Sequence, residues 1–171
     1  YCSWDGADYN LYLDGLAAGN LMAMRRAGMC AAIVGRPTNK MVRLLEITSE
    51  AFASGQKVLI YSFFRDVLDE VMRALGPQGL GPITGDVSPA ARQRLVDEFT
   101  ASSVPKALVG QIQATGTGLN IQAASVVILC EPQVKPSLEV QAIARAHRMG
   151  QVRKVQVHRL MIPESCLLYT S

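Results

Sequence analysis

Between Lys57 and Leu160 the spacing of apolar positions changes period several times, and each change predicts a new element. Lys57-Val58-Leu59-Ile60-Tyr61-Ser62-Phe63 is a near-continuous apolar run of strand length, the pattern of a strand covered on both faces. Val67, Leu68, Val71, Met72 and Leu75 then recur at helical spacing until Gly76-Pro77 closes the helix. Gly81-Pro82-Ile83-Thr84 predicts a short strand leading to a helix from Pro89 to Phe99, with Ser88 as its cap and Pro89 in its first turn. Lys106 to Gly110 predicts a strand running into a Gly/Thr-rich loop. Ser125 to Cys130 is a further strand, followed by a helix, and Val155 to Leu160 is the last strand. Upstream, residues 8–29 carry a helical pattern interrupted by Gly15 and Gly19. A second helix is expected from about Thr38 to Ala53, capped by Thr38 or Asn39, with Met41, Leu44, Leu45, Ile47 and Phe52 on its apolar face. Strands alternating with helices imply right-handed crossovers. The fold class is therefore α/β, a doubly wound parallel sheet with helices on both faces, preceded by two helices.

Ligands of such sheets sit at the carboxyl ends of the strands, so the segments there are the ones to examine for chemistry. Gln141-Ala142-Ile143-Ala144-Arg145-Ala146-His147-Arg148-Met149-Gly150-Gln151, read as one helix, places Gln141, Arg145 and Arg148 at i, i+4 and i+7. Those three fall within roughly 60° of arc on one face. Two guanidiniums and an amide on one stripe form a fork of donors suited to a polyanion such as a triphosphate. The same spacing also describes an ordinary solvated basic face. Ala142, Ile143, Ala146 and Met149 form an adjacent stripe that packs on a core, and Gly150 is placed to end the helix. In the loop Gln111 to Ile121, Gly116 and Gly118 permit close backbone approach to a phosphate, or simply a tight turn.

Composition changes the picture little. At 171 residues, with 49% hydrophobic and 18% charged positions, the chain has the makings of one globular domain and not of a disordered one. Net charge is +3, but Lys135 to Arg159 holds six Lys/Arg (Lys135, Arg145, Arg148, Arg153, Lys154, Arg159) against Glu139 alone. A local basic face attracts phosphates. Cys2, Cys30, Cys130 and Cys166 are scattered without metal-ligand spacing, which fits a reducing cytosol better than a disulfide framework or zinc site. No run approaches the ~20 apolar residues of a membrane span. The single Trp4 and scattered Tyr form no base-stacking stripe.

QAIARAHRMGQ resembles motif VI of superfamily two helicases in its Swi/Snf-type form, QAxxRxHRxGQ. The resemblance implies the second of two RecA-like lobes, with Arg145 and Arg148 as arginine fingers toward ATP and Gln141 as a supporting ATP contact. Gln111 to Ile121 resembles motif V, SxxAGGxGxNL. It implies ATP-side contacts from Gly116, Gly118 and Asn120, and DNA-backbone contacts from Gln111 and Thr115. Thr115 stands where the family has Gly, and Gln111 where it has Ser. Val58 to Asp66 is similar to motif IV, which puts Ser62 at the nucleic acid. Ile83-Thr84-Gly85-Asp86 is similar to a short motif whose Thr touches one DNA strand, so Thr84 and Gly85 join the DNA-binding set; a plain Gly-Asp turn would have the same residues. Glu131 to Pro136 resembles a D/E-x-x-W/V-N/K-P segment, implying a phosphate contact from Lys135. His147 is expected to pack or orient, and His158 has no evident partner.

The resemblance covers residues 36–163, the expected lobe. Residues 1–35 are expected to link to the first lobe, and 164–171 to be a truncated end that includes non-native residues, since Cys166 to Ser171 breaks the pattern. The chain starts at Tyr1 without Met, as a piece of a longer protein would. There is no GxxxxGK[ST] and no DExH pair, so half an active site is expected, inactive alone. The partners implied are the first lobe of the same chain, which would hold ATP with Mg2+, and double-stranded DNA; no membrane is implied. The wording of residues 122–136 is close to bacterial, particularly actinobacterial, members, implying a cytoplasmic, nucleoid-associated protein. Two other readings stay open: a strand-separating RNA or DNA helicase of the same superfamily, and a stand-alone binding or regulatory module without ATPase activity.

Overall fold

A computed structural model describes residues 1–29, 36–115, 119–147 and 154–162. The sheet consists of β1 (Lys57–Ser62), β2 (Gly79–Ile83), β3 (Ala107–Gln111), β4 (Ala124–Leu129) and β5 (Gln156–Arg159). They pair in the order β2-β3-β1-β4-β5, and every pairing is parallel. Around it lie α1 (Gly6–Ala17), α2 (Leu21–Ala27), α3 (Asn39–Ala53), α4 (Arg65–Leu75), α5 (Pro89–Ala101) and α6 (Pro136–Ala146), with a 3-10 turn at Gly76–Gln78.

Period-two alternation in the strands divides the core into two layers. Val58, Ile60, Val109 and Ile128 face Met41, Leu44 and Ile47 of α3 and Val67, Leu68 and Val71 of α4. Leu59, Leu108, Val127 and Leu129 face Val96 and Phe99 of α5 and Ala142 and Ala146 of α6. Both layers are buried, which is why the strands are apolar throughout and not alternating. The helix starts are those the polar residues predict. Thr38 Oγ1 accepts from the Met41 N–H at 3.1 Å, and Ser88 Oγ from the Ala91 N–H at 3.2 Å.

The leading helices form a small cluster of their own, in which Tyr12, Met24 and Ala27 pack with Trp4 and Leu21. Gly15 does not interrupt the first helix. It lies inside α1, where a Cβ would meet the Met24 backbone N at 3.1 Å, so its bareness lets α2 approach. The break comes at Gly19, at φ +63°. Among the described residues no helix is long and apolar enough to cross a membrane.

The arginine helix departs from expectation. It starts at Pro136 and stops at Ala146, with His147 in an extended conformation (φ −112°, ψ 125°). At this end the Arg145 carbonyl accepts from the Ile121 N–H at 3.0 Å. Gln141 and Arg145 lie four residues apart on α6, as the spacing predicts. Arg148 and Gly150 lie outside the described residues.

His158 on β5 is half-buried, and burial holds its imidazole below the ordinary 6.5, with Arg43 of α3 acting the same way and Glu50 opposing. The unfolded chain therefore takes up this proton first. The contribution to stability is complete above about pH 6.5 and is lost as pH falls through the lowered folded value. His158→Gln is expected to reduce modestly the fall in urea midpoint between about pH 7.5 and 5.5. Parallel pH profiles for the two proteins would contradict this.

Candidate functional site

The connections out of β1 and β4 run to opposite sides of the sheet, so the switch point of the topology lies between those two strands. Their carboxyl ends are Ser62 and Leu129, and Ser62 stands in register with Gln111 of β3. The switch point is filled by Glu131. Its carboxylate accepts from the Phe63 N–H at 2.6 Å, the Ser62 hydroxyl at 2.9 Å and Gln133 Nε2 at 3.2 Å. Ser62 Oγ in turn accepts from the Phe64 N–H at 3.1 Å, which commits its proton to the carboxylate.

Two cations close this buried cluster. Lys40 Nζ donates to the Cys130 carbonyl at 3.1 Å. Arg25 donates from Nε to the Pro132 carbonyl at 3.1 Å and from Nη2 to Gln133 Oε1 at 3.2 Å. Its guanidinium also lies over Phe63 and Phe64, at 5.2 and 5.4 Å from the ring centroids. Burial pushes Glu131 up from the ordinary carboxylate range, opposed by the Phe63 N–H, Lys40, Ser62 and Arg25. Burial likewise lowers Lys40, with Glu131 opposing. The donors named here all suit the ionised carboxylate. The chain of contacts continues outward, because Glu139 of α6 accepts from the Gln133 N–H at 3.0 Å and from Arg159 Nε at 2.7 Å. One polar network thus joins α2, α3, β1, β4, α6 and β5.

This network was not legible as a site. Its only local signs are an acid immediately after an apolar strand and basic residues, Lys40 and Arg25, beside Met41 and Met24. It also corrects two expectations. Ser62 is fully buried with its hydroxyl spent on Glu131, so it cannot face a nucleic acid. Thr115 is 1% exposed, and its hydroxyl lies 3.3 Å from the Gln111 and Ile112 carbonyls. A Cβ on Gly110 would come within 2.9 Å of the Thr115 methyl, so Gly110 provides the space in which this side chain is held.

The remaining candidates ring the same edge. Gln111 is half-buried and donates from Nε2 to the Phe63 carbonyl at 3.0 Å. Thr84 is half-buried, while Gly85, Asn120, Lys135 and Gln141 are exposed. Lys135 precedes the first turn of α6, where a cation meets the positive end of the helix dipole, and Glu139 in that turn offsets it. Arg145 is half-buried on α6, four residues after Gln141, and its charge acts on Tyr61. Burial pushes the Tyr61 hydroxyl up to about 12, with Thr115 and Arg145 opposing. Arg145 is therefore close to the loop that follows β3, and the Ile121–Arg145 bond ties that loop to α6. Gly116 and Gly118 lie outside the described residues. Among those described, no group of three or more His, Cys, Asp or Glu could hold a metal.

A family model, the helicase conserved C-terminal domain, matches residues 39–150. The chain is 34% identical over 119 residues to an uncharacterized ATP-dependent helicase of Mycoplasma pneumoniae, covering 68% of this chain and 12% of that protein. It is 32% identical over 130 residues to the DNA repair protein RAD5B of Arabidopsis thaliana, covering 74% and 10%. The solved Sulfolobus solfataricus SWI2/SNF2 ATPase core in complex with dsDNA shares the fold, with a TM-score of 0.73 and 22% identity over 95% of this chain and 40% of that one. The chain spans about a tenth of the length of these curated relatives.

Proposed function

The chain belongs to the helicase conserved C-terminal domain family, and we propose that it is of the Swi/Snf type and forms the second RecA-like lobe of an ATP-driven motor on duplex DNA. The observation that supports this best is the bond from the Ile121 N–H to the Arg145 carbonyl. It joins the motif V and motif VI segments at the carboxyl edge, where a nucleotide between two lobes would be met from both.

In this reading a separate lobe binds ATP with Mg2+. Arg145 and Arg148 approach the γ-phosphate and stabilise the charge that develops during transfer, an effect of roughly 10³ to 10⁵ in rate. Gln141, Asn120 and the backbone at Gly116 and Gly118 are the further nucleotide-side contacts. The metal is assigned to the other lobe, as the family resemblance implies. DNA lies along the outer ring and is contacted through its backbone by Thr84, Gly85, Gln111 and Lys135. Cycles of lobe closure and opening then step the protein along duplex DNA without strand separation. The likeness of residues 122–136 to bacterial members is what supports a cytoplasmic, nucleoid-associated location in this reading.

Backbone contact gives little sequence readout and strong salt dependence, with log K falling by about 0.9 per neutralised phosphate against log salt. A salt titration of the chain on random-sequence duplexes is expected to give a slope of about −1, since Lys135 is the one cation among the named contacts, and to be insensitive to sequence. Absence of duplex affinity would count against the reading, and a clear preference for RNA would favour the strand-separating branch.

A further inference from the structure

Arg92 rises from the first turn of α5, a turn made rigid by the Ser88 cap and by Pro89. Its guanidinium reaches between the loops that follow β2 and β3. Nε donates to the Val87 carbonyl at 2.8 Å, and Nη2 donates to the Thr84 and Gly85 carbonyls at 3.2 and 3.0 Å. Nη1 donates to the Ala114 carbonyl at 2.8 Å. A guanidinium has five N–H donors in a fixed plane. Four of them are committed to the backbone, three on one loop and one on the other. What remains is too little for Arg92 to serve as a phosphate ligand, and its half-buried position agrees with that.

The residues on either side make the link consequential. Thr84 and Gly85 are candidate backbone contacts, and Ala114 immediately precedes Thr115, which is locked against Gly110. Arg65 pairs with Asp86, tying the first loop to α4 as well. With three carbonyls of the first loop and that of Ala114 bonded to the half-buried Arg92 guanidinium, the repulsion these oxygens would exert on a phosphate is offset.

We propose that Arg92 is a positioning residue, a clamp that makes the loops after β2 and β3 move as one unit and so present a single rigid edge to the nucleic-acid backbone. The clamp itself is a property of these loops; its consequence for DNA rests on the function proposed above. Lysine keeps the charge but not the planar fork, and cannot bridge four carbonyls in this geometry. A direct phosphate contact would be largely preserved by Arg92→Lys, whereas a clamp would not.

The test is amide hydrogen exchange of the chain, with Arg92→Lys and Arg92→Ala, alongside duplex affinity by fluorescence anisotropy. Exchange at residues 84–87 and 112–115 is expected to accelerate together by about tenfold or more, the loss of one charge-assisted hydrogen bond. β1 and α4 should keep their protection. Duplex affinity should fall about tenfold, to a similar extent in both variants. Wild-type behaviour of Arg92→Lys, or acceleration in one loop alone, would overturn the clamp. If the wild-type chain has no duplex affinity yet both loops loosen together in the variants, the clamp stands and the nucleic-acid reading falls. Should Arg92→Ala fail to fold, the milder Arg92→Lys decides.

Discussion

Glu131→Leu is expected to destabilise the chain by about 3–5 kcal/mol, the cost of leaving a buried charge without its partner. The leucine would sit among groups arranged for a carboxylate. The Phe63 N–H and the Ser62 hydroxyl would lose their acceptor, and Lys40 and Arg25 would lose the buried anion that offsets their burial. Against a typical total of about 5–15 kcal/mol this is a large fraction. The same physics requires strong non-additivity. Removing a cation together with the anion relieves the uncompensated charge, so Lys40→Met in the Glu131→Leu background should recover part of the loss. Urea denaturation of the wild type, the two single variants and the double variant measures this directly. A loss below about 1 kcal/mol for Glu131→Leu, or simple additivity in the cycle, would show that Glu131 is not the centre of a charged network.

Arg145→Ala should leave the fold in place and remove activity. The tie between α6 and the loop after β3 runs through the Arg145 carbonyl, which alanine keeps, and alanine is a good helix former. What disappears is the guanidinium. In an ATPase that joins this lobe to a nucleotide-binding lobe, DNA-stimulated turnover is expected to fall by roughly 10³-fold or more. The KM for ATP should change far less, because the interaction develops mainly in the transition state. Arg145→Lys should restore little, since a single ammonium does not reproduce a planar fork on phosphoryl oxygens. Single-turnover hydrolysis with saturating duplex DNA separates these effects. Unchanged turnover in Arg145→Ala would remove the finger assignment, while a melting temperature lowered by many degrees would point to a structural role.

The layered sheet was legible in the sequence because each strand is a local run whose period differs from that of its flanking helices. Val58 to Tyr61 and Val126 to Leu129 are apolar at every position, and only a strand covered on both faces requires that. Thr38 and Ser88 marked their helix starts because a cap acts over three residues. The spacing of Gln141 and Arg145 likewise placed both on α6.

Other features depended on partners far along the chain. Ser62 reads as a polar residue at a strand end, and its burial becomes apparent only when Glu131, 69 residues later, is brought beside it. Arg25 lies 108 residues from Gln133, and Arg92 holds Ala114 from 22 residues away. The end of α6 at Ala146 coincides with a long-range bond, in which the Ile121 N–H donates to the Arg145 carbonyl. The sequence by itself thus determined the α/β class and the order of elements, which follow from short-range periodicity and spacing, and it carried the motifs in which the family resemblance lies. The tertiary structure decided which polar groups are spent inside the lobe and which remain at its edge, because a hydrogen bond saturates its donor and acceptor only once packing has brought them together.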